Sequence, residues 1–367
     1  MRVLLVTKPL SPPWNDSGKV VPRDLALGGA MRHELHVLTA RGDAGGWPRG
    51  VRAHPVYAPA GTRAPLARAR MMAAVWGMRG EFDALHFFFQ PHPAAARAAR
   101  LLSAACGAPT IHTALSAPRE GHPPARVLFS PRTVALSCAT ARRLARDGHP
   151  APRVIPPGLA ELEPISGTRA GAARAGAGID APFVLYPGDF DFSGGYDLLL
   201  EAWAGAPDLP ALLLAGRDKT KAAGEARARL ERRAAALGLG ARVRFAGTVE
   251  DMPALIAASD GVLFPARSLY AKSDVPIVLL EAWRAARPVW VSGLPPLAEL
   301  TAGITAAVPD EPAAWAAAAR RVRTEGAALG AAGRERLLER YTARRMRAAY
   351  EELYDEVEAE RSARRAS

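Results

Sequence analysis

The stretch of sequence best suited to chemistry runs from Lys272 to Ser292. It reads as a loop, a short apolar helix that contains Glu281, and then Arg287-Pro288 leading into a buried strand. A carboxylate in the first turns of such a helix can accept hydrogen bonds from sugar or ribose hydroxyls, and the helix N-terminus offers free N–H groups to phosphate. A carboxylate there also complements the helix dipole, so the pattern alone leaves a binding and a structural interpretation of Glu281 open.

The composition predicts a globular protein with more than one domain. The chain has 367 residues, which is long enough for two domains with separate cores. Hydrophobic residues make up 49% and charged residues 23%, a composition too apolar for bulk disorder. Two cysteines, Cys106 and Cys138, are too few for a zinc ribbon or a disulfide framework, and we expect two buried thiols in a reducing compartment. The apolar run Met1–Thr7 is too short for a signal sequence, and no run approaches the ~18 apolar residues that cross a bilayer. We therefore expect a soluble cytoplasmic protein.

The formal net charge of +12 favours polyanionic partners such as nucleic acid, an acidic membrane leaflet or a phosphorylated ligand. The sequence has no block of six like charges and lacks the interleaved basic and aromatic residues of nucleic-acid-binding modules, which argues against nucleic acid. Peripheral association with the inner face of the cell membrane fits the charge. A coding bias towards alanine and arginine explains the same charge without any partner.

Short apolar runs alternate with helical stretches in both halves of the chain, which predicts an α/β protein with parallel sheets. The predicted strands of the first half are Val3–Thr7, Glu34–Thr39, Ala84–Phe89, Thr110–Thr113, Thr133–Ser137 and Val154–Ile155. Those of the second half are Phe183–Tyr186, Ala211–Ala215, Val243–Phe245, Gly261–Phe264, Val289–Val291 and Thr305–Val308. A stretch rich in glycine and alanine between them predicts a linker. The predicted boundaries are 1–166 for the first domain, 167–181 for the linker, 182–334 for the second domain and 335–367 for a terminal helix.

On the Lys272–Ser292 stretch the sequence resembles glycosyltransferase family 4, whose members have the GT-B fold, use nucleotide-sugar donors and retain the configuration of the sugar. Two glutamates separated by seven residues mark this place in the family. Glu281 matches the second, which binds the donor ribose. The first, which contacts the donor sugar, falls on Ser273, with Asp274 beside it as the only carboxylate that could replace it. Pro276 stands where the family usually has glycine, which removes one backbone N–H.

The resemblance extends over most of the chain and implies two Rossmann-like domains facing across a cleft, with a terminal helix that crosses back to the first domain. Gly247-Thr248-Val249 resembles the family's base-binding loop, and Ile155–Gly158 resembles the end of its first domain. The resemblance implies Asp274 and His112 as catalytic candidates. It implies a donor site made of Gly18, Gly188, Arg217, Lys219, Gly247, Val249, Lys272, Ser273, Val275, Pro276, Ile277, Val278 and Glu281.

Two departures from the family concern the donor diphosphate. An arginine and a lysine usually neutralise it from the first strand–helix loop of the second domain, but Asp189 and Gly194 stand in their places. Two cations are gone and one anion is added, which predicts repulsion of a diphosphate unless other charges compensate. The candidates for compensation are Arg217, Lys219, Arg267 and Lys272, and each is equally well explained as a solvated surface residue.

In the first domain the resemblance points to a glycine-rich loop and to histidines. Gly18 is the single glycine of Asp16–Lys19, and either permits close approach of a ligand or is an ordinary turn glycine. A histidine commonly lies near the donor sugar in the family, and His112 lies three residues before the matching place. His86 and His92 border the next loop of the cleft, where they either contact acceptor or are structural.

The resemblance implies a retaining transferase that moves a sugar from a nucleoside diphosphate sugar to a hydroxyl of a glycan, glycolipid or small molecule. We expect no cofactor besides the donor and no required metal. The alternative is a degenerate GT-B scaffold that binds a sugar or a partner, which Asp189, Gly194 and Ser273 favour. The two hypotheses differ in whether Lys272, Arg217 and Glu281 converge on one pocket.

Overall fold

A computed structural model describes residues 1–28, 31–43, 45–58, 64–161, 163–192, 194–217, 220–269 and 272–366. The chain divides into two compact units. Unit 1 comprises Met1–Glu161 and Arg340–Ser367, and unit 2 comprises Leu162–Glu339. Each unit contains a parallel β-sheet with helices in the connections, so the predicted α/β class is confirmed.

The described part of unit 1 contains a seven-stranded parallel sheet. Its strands are β1 (Arg2–Val6), β2 (Glu34–Ala40), β3 (Val51–Tyr57), β4 (Ala84–Phe89), β5 (Thr110–Ala114), β6 (Arg132–Ala135) and β7 (Arg153–Val154). Its connecting helices are α1 (Ser17–Leu27), α2 (Ala64–Gly77), α3 (Pro93–Cys106), α4 (Pro124–Val127) and α5 (Cys138–Arg146). The strand order is β3-β2-β1-β4-β5-β6-β7. Val3–Val6 are completely buried because β1 lies near the middle of the sheet and is covered on both faces.

Three features of unit 1 differ from the sequence-based expectations. The edge strand β3 was not among the predicted strands, and it contains Pro55, which an edge strand tolerates. Strand β6 ends at Ala135, two residues before Ser137, where the predicted strand ends. Cys138 is exposed as the first residue of α5, so the prediction of two buried thiols is wrong for this residue.

The described part of unit 2 contains a five-stranded parallel sheet with the order β10-β9-β8-β11-β12. Its strands are β8 (Phe183–Asp189), β9 (Ala211–Arg217), β10 (Val243–Ala246), β11 (Gly261–Phe264) and β12 (Val289–Val291). Its helices are α6 (Gly167–Gly176), α7 (Tyr196–Gly205), α8 (Lys221–Ala236), α9 (Met252–Ala258), α10 (Ile277–Arg284), α11 (Pro295–Thr301) and α12 (Pro312–Arg340). The core includes four fully buried tryptophans, Trp203, Trp283, Trp290 and Trp315.

Residues 167–176 form helix α6, so the prediction of an irregular linker is wrong for these residues. The Ser166 side chain caps the helix by accepting a hydrogen bond from the Arg169 N–H. The Arg169 guanidinium makes a bidentate ion pair with Asp251 at 2.6 and 2.9 Å, which ties α6 to the start of α9. The predicted strand Thr305–Val308 is reduced to a single bridge between Val308 and Ser292.

The chain ends in helix α13 (Ala343–Ala366), which packs within unit 1. The sequence predicts one continuous helical stretch here, but the helix is interrupted at Tyr341 and Thr342. Leu159 pairs with this break: its N–H donates to the Tyr341 carbonyl and its own carbonyl accepts from Ala343, both at 2.8 Å. A Cβ at Gly158 would lie 2.2 Å from the Thr342 carbonyl oxygen, so this close approach requires glycine.

A buried polar network, the His86 network, joins α13 to the sheet of unit 1. The Nδ1 of His86 lies 2.7 Å from the Tyr354 hydroxyl, and its Nε2 lies 2.8 Å from the Thr113 Oγ1. The Tyr350 hydroxyl lies 2.9 Å from the same Thr113 oxygen. Each of these four side chains therefore has a polar partner inside the protein. Among the described residues, no helix has the length and apolar character needed to cross a membrane.

Candidate active site

The carboxyl edge of the unit 2 sheet brings together the loops that follow β8, β9 and β11. All strands of this sheet are parallel, so their carboxyl ends lie at one edge. Strand β8 has β9 on one side and β11 on the other, so the connections that follow β8 and β11 diverge between them. Open α/β sheets bind ligands at such a switch point.

Three charged side chains, here called the Asp189 cluster, meet at this switch point. Asp189 ends β8, and Arg217 ends β9 directly opposite it. The Arg217 guanidinium donates from Nε and Nη2 to the two Asp189 oxygens at 2.6 and 2.8 Å. The Lys272 Nζ, from the segment after β11, lies 2.6 Å from Asp189 Oδ2. The Asp189 side chain is 1% exposed and that of Lys272 10%.

The Asp189 cluster bears on the expectation that Asp189 repels a diphosphate unless other charges compensate. Burial alone would raise the pKa of Asp189, but the hydrogen bonds from Arg217 and the charge of Lys272 outweigh it and lower the pKa. The carboxylate is therefore ionised and paired at neutral pH. One anion and two cations leave one positive charge in the cluster, which favours an anionic ligand at this place.

The loop after β8 explains why glycine stands where the family has lysine. Gly194 and Gly195 adopt left-handed backbone conformations, with φ of 68° and 78°. A Cβ on Gly195 would lie 2.1 Å from the Pro265 carbonyl oxygen. A lysine at Gly194 would be strained in this conformation. Gly195 is also the N-cap of α7 and provides no side-chain cap, so a ligand can satisfy the first N–H groups of that helix.

The segment before α10 is buried and ends in a second helix N-terminus without a side-chain cap. Ser273, Asp274 and Val275 are 4%, 1% and 3% exposed, and Pro276 is the N-cap. Among the described residues, the Ser273 Oγ is buried and has no hydrogen-bond partner. Buried hydroxyls are usually paired with protein or water, so this oxygen is available to a bound ligand.

Tyr196, the first residue of α7, has a second buried hydroxyl without a partner among the described residues. Burial, together with the charges of Tyr186 and Asp189, raises the pKa of Tyr196 well above its usual value. The hydroxyl therefore stays protonated and can donate a hydrogen bond. The sequence does not single out Tyr196, because a tyrosine at a helix start carries no binding signature of its own.

The other predicted donor-site residues of unit 2 occupy several places. Gly188 lies in β8 opposite Gly216, Ile277 and Val278 form the first turn of α10, and half-buried Glu281 lies about one turn further along that helix. Gly247 and Val249 lie in the loop that follows β10. The structure thus brings Arg217 and Lys272 together on Asp189. Lys219 lies outside the described residues.

Two of the compensating cations considered from sequence differ in their surroundings. Arg267 is 53% exposed and pairs with Asp310 at 3.1 Å, which is the arrangement of a solvated surface residue. Lys272 is only 10% exposed and paired with Asp189, which contradicts the solvated interpretation for this residue. The pairing could not be read from the sequence because Lys272 and Asp189 belong to different loops.

The candidate histidines of unit 1 make contacts within the fold of that unit. His112 is 1% exposed within β5, its Nε2 lies 3.2 Å from the Phe89 carbonyl oxygen, and burial lowers its pKa to about 4. His112 thus occupies a core position with its Nδ1 buried and without a hydrogen-bond partner among the described residues. Its catalytic role stays a prediction. His86 belongs to the His86 network, and His92 caps α3 by accepting from Ala94 at 3.2 Å.

Gly18 lies in the first turn of α1, where its N–H donates to the Asp16 carboxylate at 2.8 Å. A Cβ on Gly18 would lie 3.1 Å from that carboxylate and 3.2 Å from a Leu115 methyl group. The space beside Gly18 is thus filled by the protein itself. This packing requires a small residue whether or not a ligand also approaches.

The two parallel-sheet units define a GT-B protein, and solved structures share this fold along nearly the whole chain. HepE from Anabaena, in complex with UDP and glucose, is 17% identical with a TM-score of 0.72, over 96% of this chain and 99% of its own. Sucrose-phosphate synthase from Thermosynechococcus elongatus is 20% identical with a TM-score of 0.76, over 98% and 99%. WaaG, a glycosyltransferase involved in lipopolysaccharide biosynthesis, is 19% identical with a TM-score of 0.61, over 92% and 94%.

One family model matches part of the sequence. Residues 181–325, which lie entirely within unit 2, match the family described as Glycosyl transferases group 1. No curated protein sequence matches the chain. The matched segment includes the whole Asp189 cluster and α10. The chain has the GT-B fold, as the resemblance implied, and part of its unit 2 sequence matches this group.

Proposed function

We propose that the chain is a retaining glycosyltransferase whose unit 2 holds a nucleoside diphosphate sugar at the Asp189 cluster. The observation that carries the proposal is the placement of this cluster, with its one positive charge, at the switch point from which α7 and α10 begin. Helix N-termini and basic side chains are the usual partners of phosphate. The HepE structure contains UDP and glucose, which makes a uridine nucleotide the first donor to test.

Each residue at the site receives a role from its position. Lys272 and Arg217 contact the diphosphate, with N–H groups of the two helix starts. Glu281, on α10, accepts hydrogen bonds from the ribose hydroxyls. Ser273 and Asp274, which are buried immediately before α10, bind hydroxyls of the donor sugar.

The proposed reaction takes place on one face of the sugar. The bond between the anomeric carbon and the diphosphate oxygen breaks, and a bond from the acceptor oxygen forms on the same face. The acceptor proton passes to the departing diphosphate oxygen, so no protein side chain acts as the base. The protein supplies position and stabilises the negative charge of the leaving group. The proposed reaction assigns no step to a metal or to another cofactor.

The acceptor is a hydroxyl of a glycan, a glycolipid or a small molecule. The net charge of +12 supports an acceptor presented at an anionic membrane surface, with peripheral association from the cytoplasmic side. Binding of the full chain to vesicles with and without anionic lipid tests this part separately. Loss of binding at high salt is expected if charge drives it.

The test of the proposed function is slow transfer to water, which needs no knowledge of the acceptor. The full chain is incubated with UDP-, GDP-, ADP-, TDP- and CDP-sugars, with and without EDTA, and released nucleoside diphosphate is quantified. We expect release from one nucleotide class, and NMR taken before mutarotation should show the donor's own anomeric configuration in the freed sugar. Inverted sugar would refute the retaining mechanism.

A matched pair of variants links the release to the site. Lys272→Met removes a buried partner of Asp189, whereas Lys221→Met removes a side chain that is 93% exposed. Release should be lost in the first and kept in the second. Equal release from both would separate the activity from the Asp189 cluster.

One observation favours the degenerate scaffold as a second candidate. Arg217 and Lys272 are both paired with Asp189, and the place of the family's first glutamate is taken by Ser273. A scaffold of this kind would bind nucleotide or sugar saturably and release no product with any donor. Saturable binding without release over the whole donor panel would therefore favour it over the transferase.

A further inference from the structure

A cluster of metal-binding side chains lies at the outer edge of the unit 1 sheet, outside the proposed donor site. His36 lies on β2, His54 on the edge strand β3, and Glu81 in the turn before β4. The Nδ1 of His36 and the Nε2 of His54 are 3.0 Å apart. One ligand atom from each of His36, His54 and Glu81 lies within 4.8 Å of the other two.

The surroundings of His36 resemble those of a metal-bound histidine. Its side chain is 1% exposed, and its Nε2 is buried without a well-aligned hydrogen bond among the described residues. The nearest carboxylate oxygen, from Glu34, lies 3.3 Å from this nitrogen. Metal-bound histidines usually direct their second ring nitrogen to a carboxylate, which fixes the tautomer and the ring. Here Nδ1 faces His54 while Nε2 faces Glu34.

The charges around the pair also suit a cation. Metals bind the neutral imidazole, and the two rings face each other through one nitrogen each. Glu81 is exposed and makes a loose ion pair with Arg52 at 3.6 Å. Exposed pairs of this kind contribute little to stability. A divalent ion can therefore replace Arg52 as the partner of Glu81 with little loss of stability.

We propose that His36, His54 and Glu81 bind one divalent metal ion of the zinc class, with Glu34 orienting the His36 ring. Two imidazoles and one carboxylate are a nitrogen and oxygen donor set that zinc accepts. Zinc–nitrogen bonds of about 2.0–2.1 Å in tetrahedral geometry separate two ligand nitrogens by roughly 3.4 Å. The observed separation of 3.0 Å requires only a small shift.

The position of the site gives the ion a structural role. Its ligands come from β2, from β3 and from the turn before β4, so an ion would tie the edge strand to the rest of the sheet. Strand β3 pairs with a neighbour on one side only in the described sheet, and edge strands are the least secured strands of a sheet. The bound ion would raise the stability of the folded chain by mass action.

The test uses the full chain without an affinity tag, stripped with chelator and dialysed. Zn²⁺ is titrated in competition with a chromophoric chelator, and the thermal midpoint is followed with and without Zn²⁺. We expect one tightly bound Zn²⁺ per chain and a raised midpoint. His54→Gln and Glu81→Gln, which change side chains that are not fully buried, should each weaken binding at least tenfold and abolish the midpoint shift.

Two controls make the result specific. His92→Gln changes the histidine that caps α3 and should leave Zn²⁺ binding unchanged, whereas Arg52→Gln frees Glu81 and should strengthen binding. Co²⁺ bound to the unmodified chain should show the intense visible bands of a tetrahedral site. The proposal is overturned if no stoichiometric ion binds. It is also overturned if Asp355→Asn, in the separate cluster of His33, Asp355 and Glu358, removes the binding while His54→Gln keeps it.

Discussion

The His86 network of unit 1 and the surroundings of the Asp189 cluster in unit 2 differ in how far their buried polar atoms are paired. In the His86 network of unit 1, hydrogen bonds of 2.7–2.9 Å join four side chains to one another. Around the Asp189 cluster of unit 2, the ions are paired, but the hydroxyls of Ser273 and Tyr196 lack partners among the described residues. A network whose polar atoms are all hydrogen-bonded within the protein is typical of a structural contact, while unpaired buried hydroxyls indicate room for a ligand.

The largest effect is expected from Lys272→Met on sugar transfer. The variant removes one of the two cations that stabilise the leaving diphosphate, and loss of one such group typically costs on the order of 100-fold. We expect a decrease of that size in kcat/KM, measured as nucleoside diphosphate release. Lys221→Met should stay within about twofold of the unmodified chain. Similar activity of the two variants would mean that the Asp189 cluster is a structural network, like the His86 network, and not a donor site.

The next effect is the contribution of Asp189 to stability. Asp189→Asn leaves Arg217 and Lys272 without their carboxylate, and we expect a loss of roughly 1–3 kcal/mol at pH 7, measured by urea unfolding. The pKa of Asp189 is lower in the folded chain, so its stabilisation is present above the unfolded pKa of about 3.9 and is lost as pH falls through the folded value. The difference between the variants should therefore shrink in strong acid. A difference that grows in acid would contradict the paired, ionised Asp189.

A smaller loss is expected from Tyr354→Phe, which removes one hydroxyl from the His86 network. The Nδ1 of His86 would then be buried without its partner, at a cost of about 1–2 kcal/mol in the free energy of unfolding. Nucleotide binding by unit 2 should not change, because the network serves only to hold α13 on unit 1. A change in nucleotide affinity with unchanged stability would remove the structural interpretation of the network.

The smallest effect on stability is expected from Ser273→Ala. The Ser273 hydroxyl has no partner to lose among the described residues, so the free energy of unfolding should change by less than about 0.5 kcal/mol. Transfer should still decrease by roughly 3- to 10-fold, since one hydrogen bond to the donor disappears. Tyr354→Phe is thus expected to lower stability and leave nucleotide binding unchanged. Ser273→Ala is expected to lower transfer and leave stability nearly unchanged. A destabilised but fully active Ser273→Ala variant would mean that the Ser273 hydroxyl stabilises the fold and does not bind the donor.

The sequence predicted the repeating strands well because their signal is local. Val3–Val6 and the runs at β8 to β12 are short apolar segments between helices, which is the pattern of buried parallel strands. The linker prediction failed at 167–176 because glycine and alanine give a weak local pattern. Helix α6 depends on the Ser166 cap and on the ion pair of Arg169 with Asp251.

The candidate site was only partly predictable, because pairing between distant segments decides its character. The family pattern identified Ser273, Asp274 and Glu281. It could not show that Asp189 holds Arg217 and Lys272, since each comes from the end of a different strand or loop. The burial of His112 within β5 could not be read from one histidine in the sequence. The His36 and His54 pair was missed because β3 was not among the predicted strands.

The measurement that tests the central claim most directly is a thermal-shift titration of the unmodified chain and of Lys272→Met. UDP, GDP, ADP, TDP and CDP are compared, with Lys221→Met as the control. We expect a saturable rise of the thermal midpoint with one nucleoside diphosphate, because only the folded chain binds it. The rise should be preserved in Lys221→Met and absent in Lys272→Met. No rise with any nucleotide, or the same rise in Lys272→Met, would contradict a donor site at the Asp189 cluster.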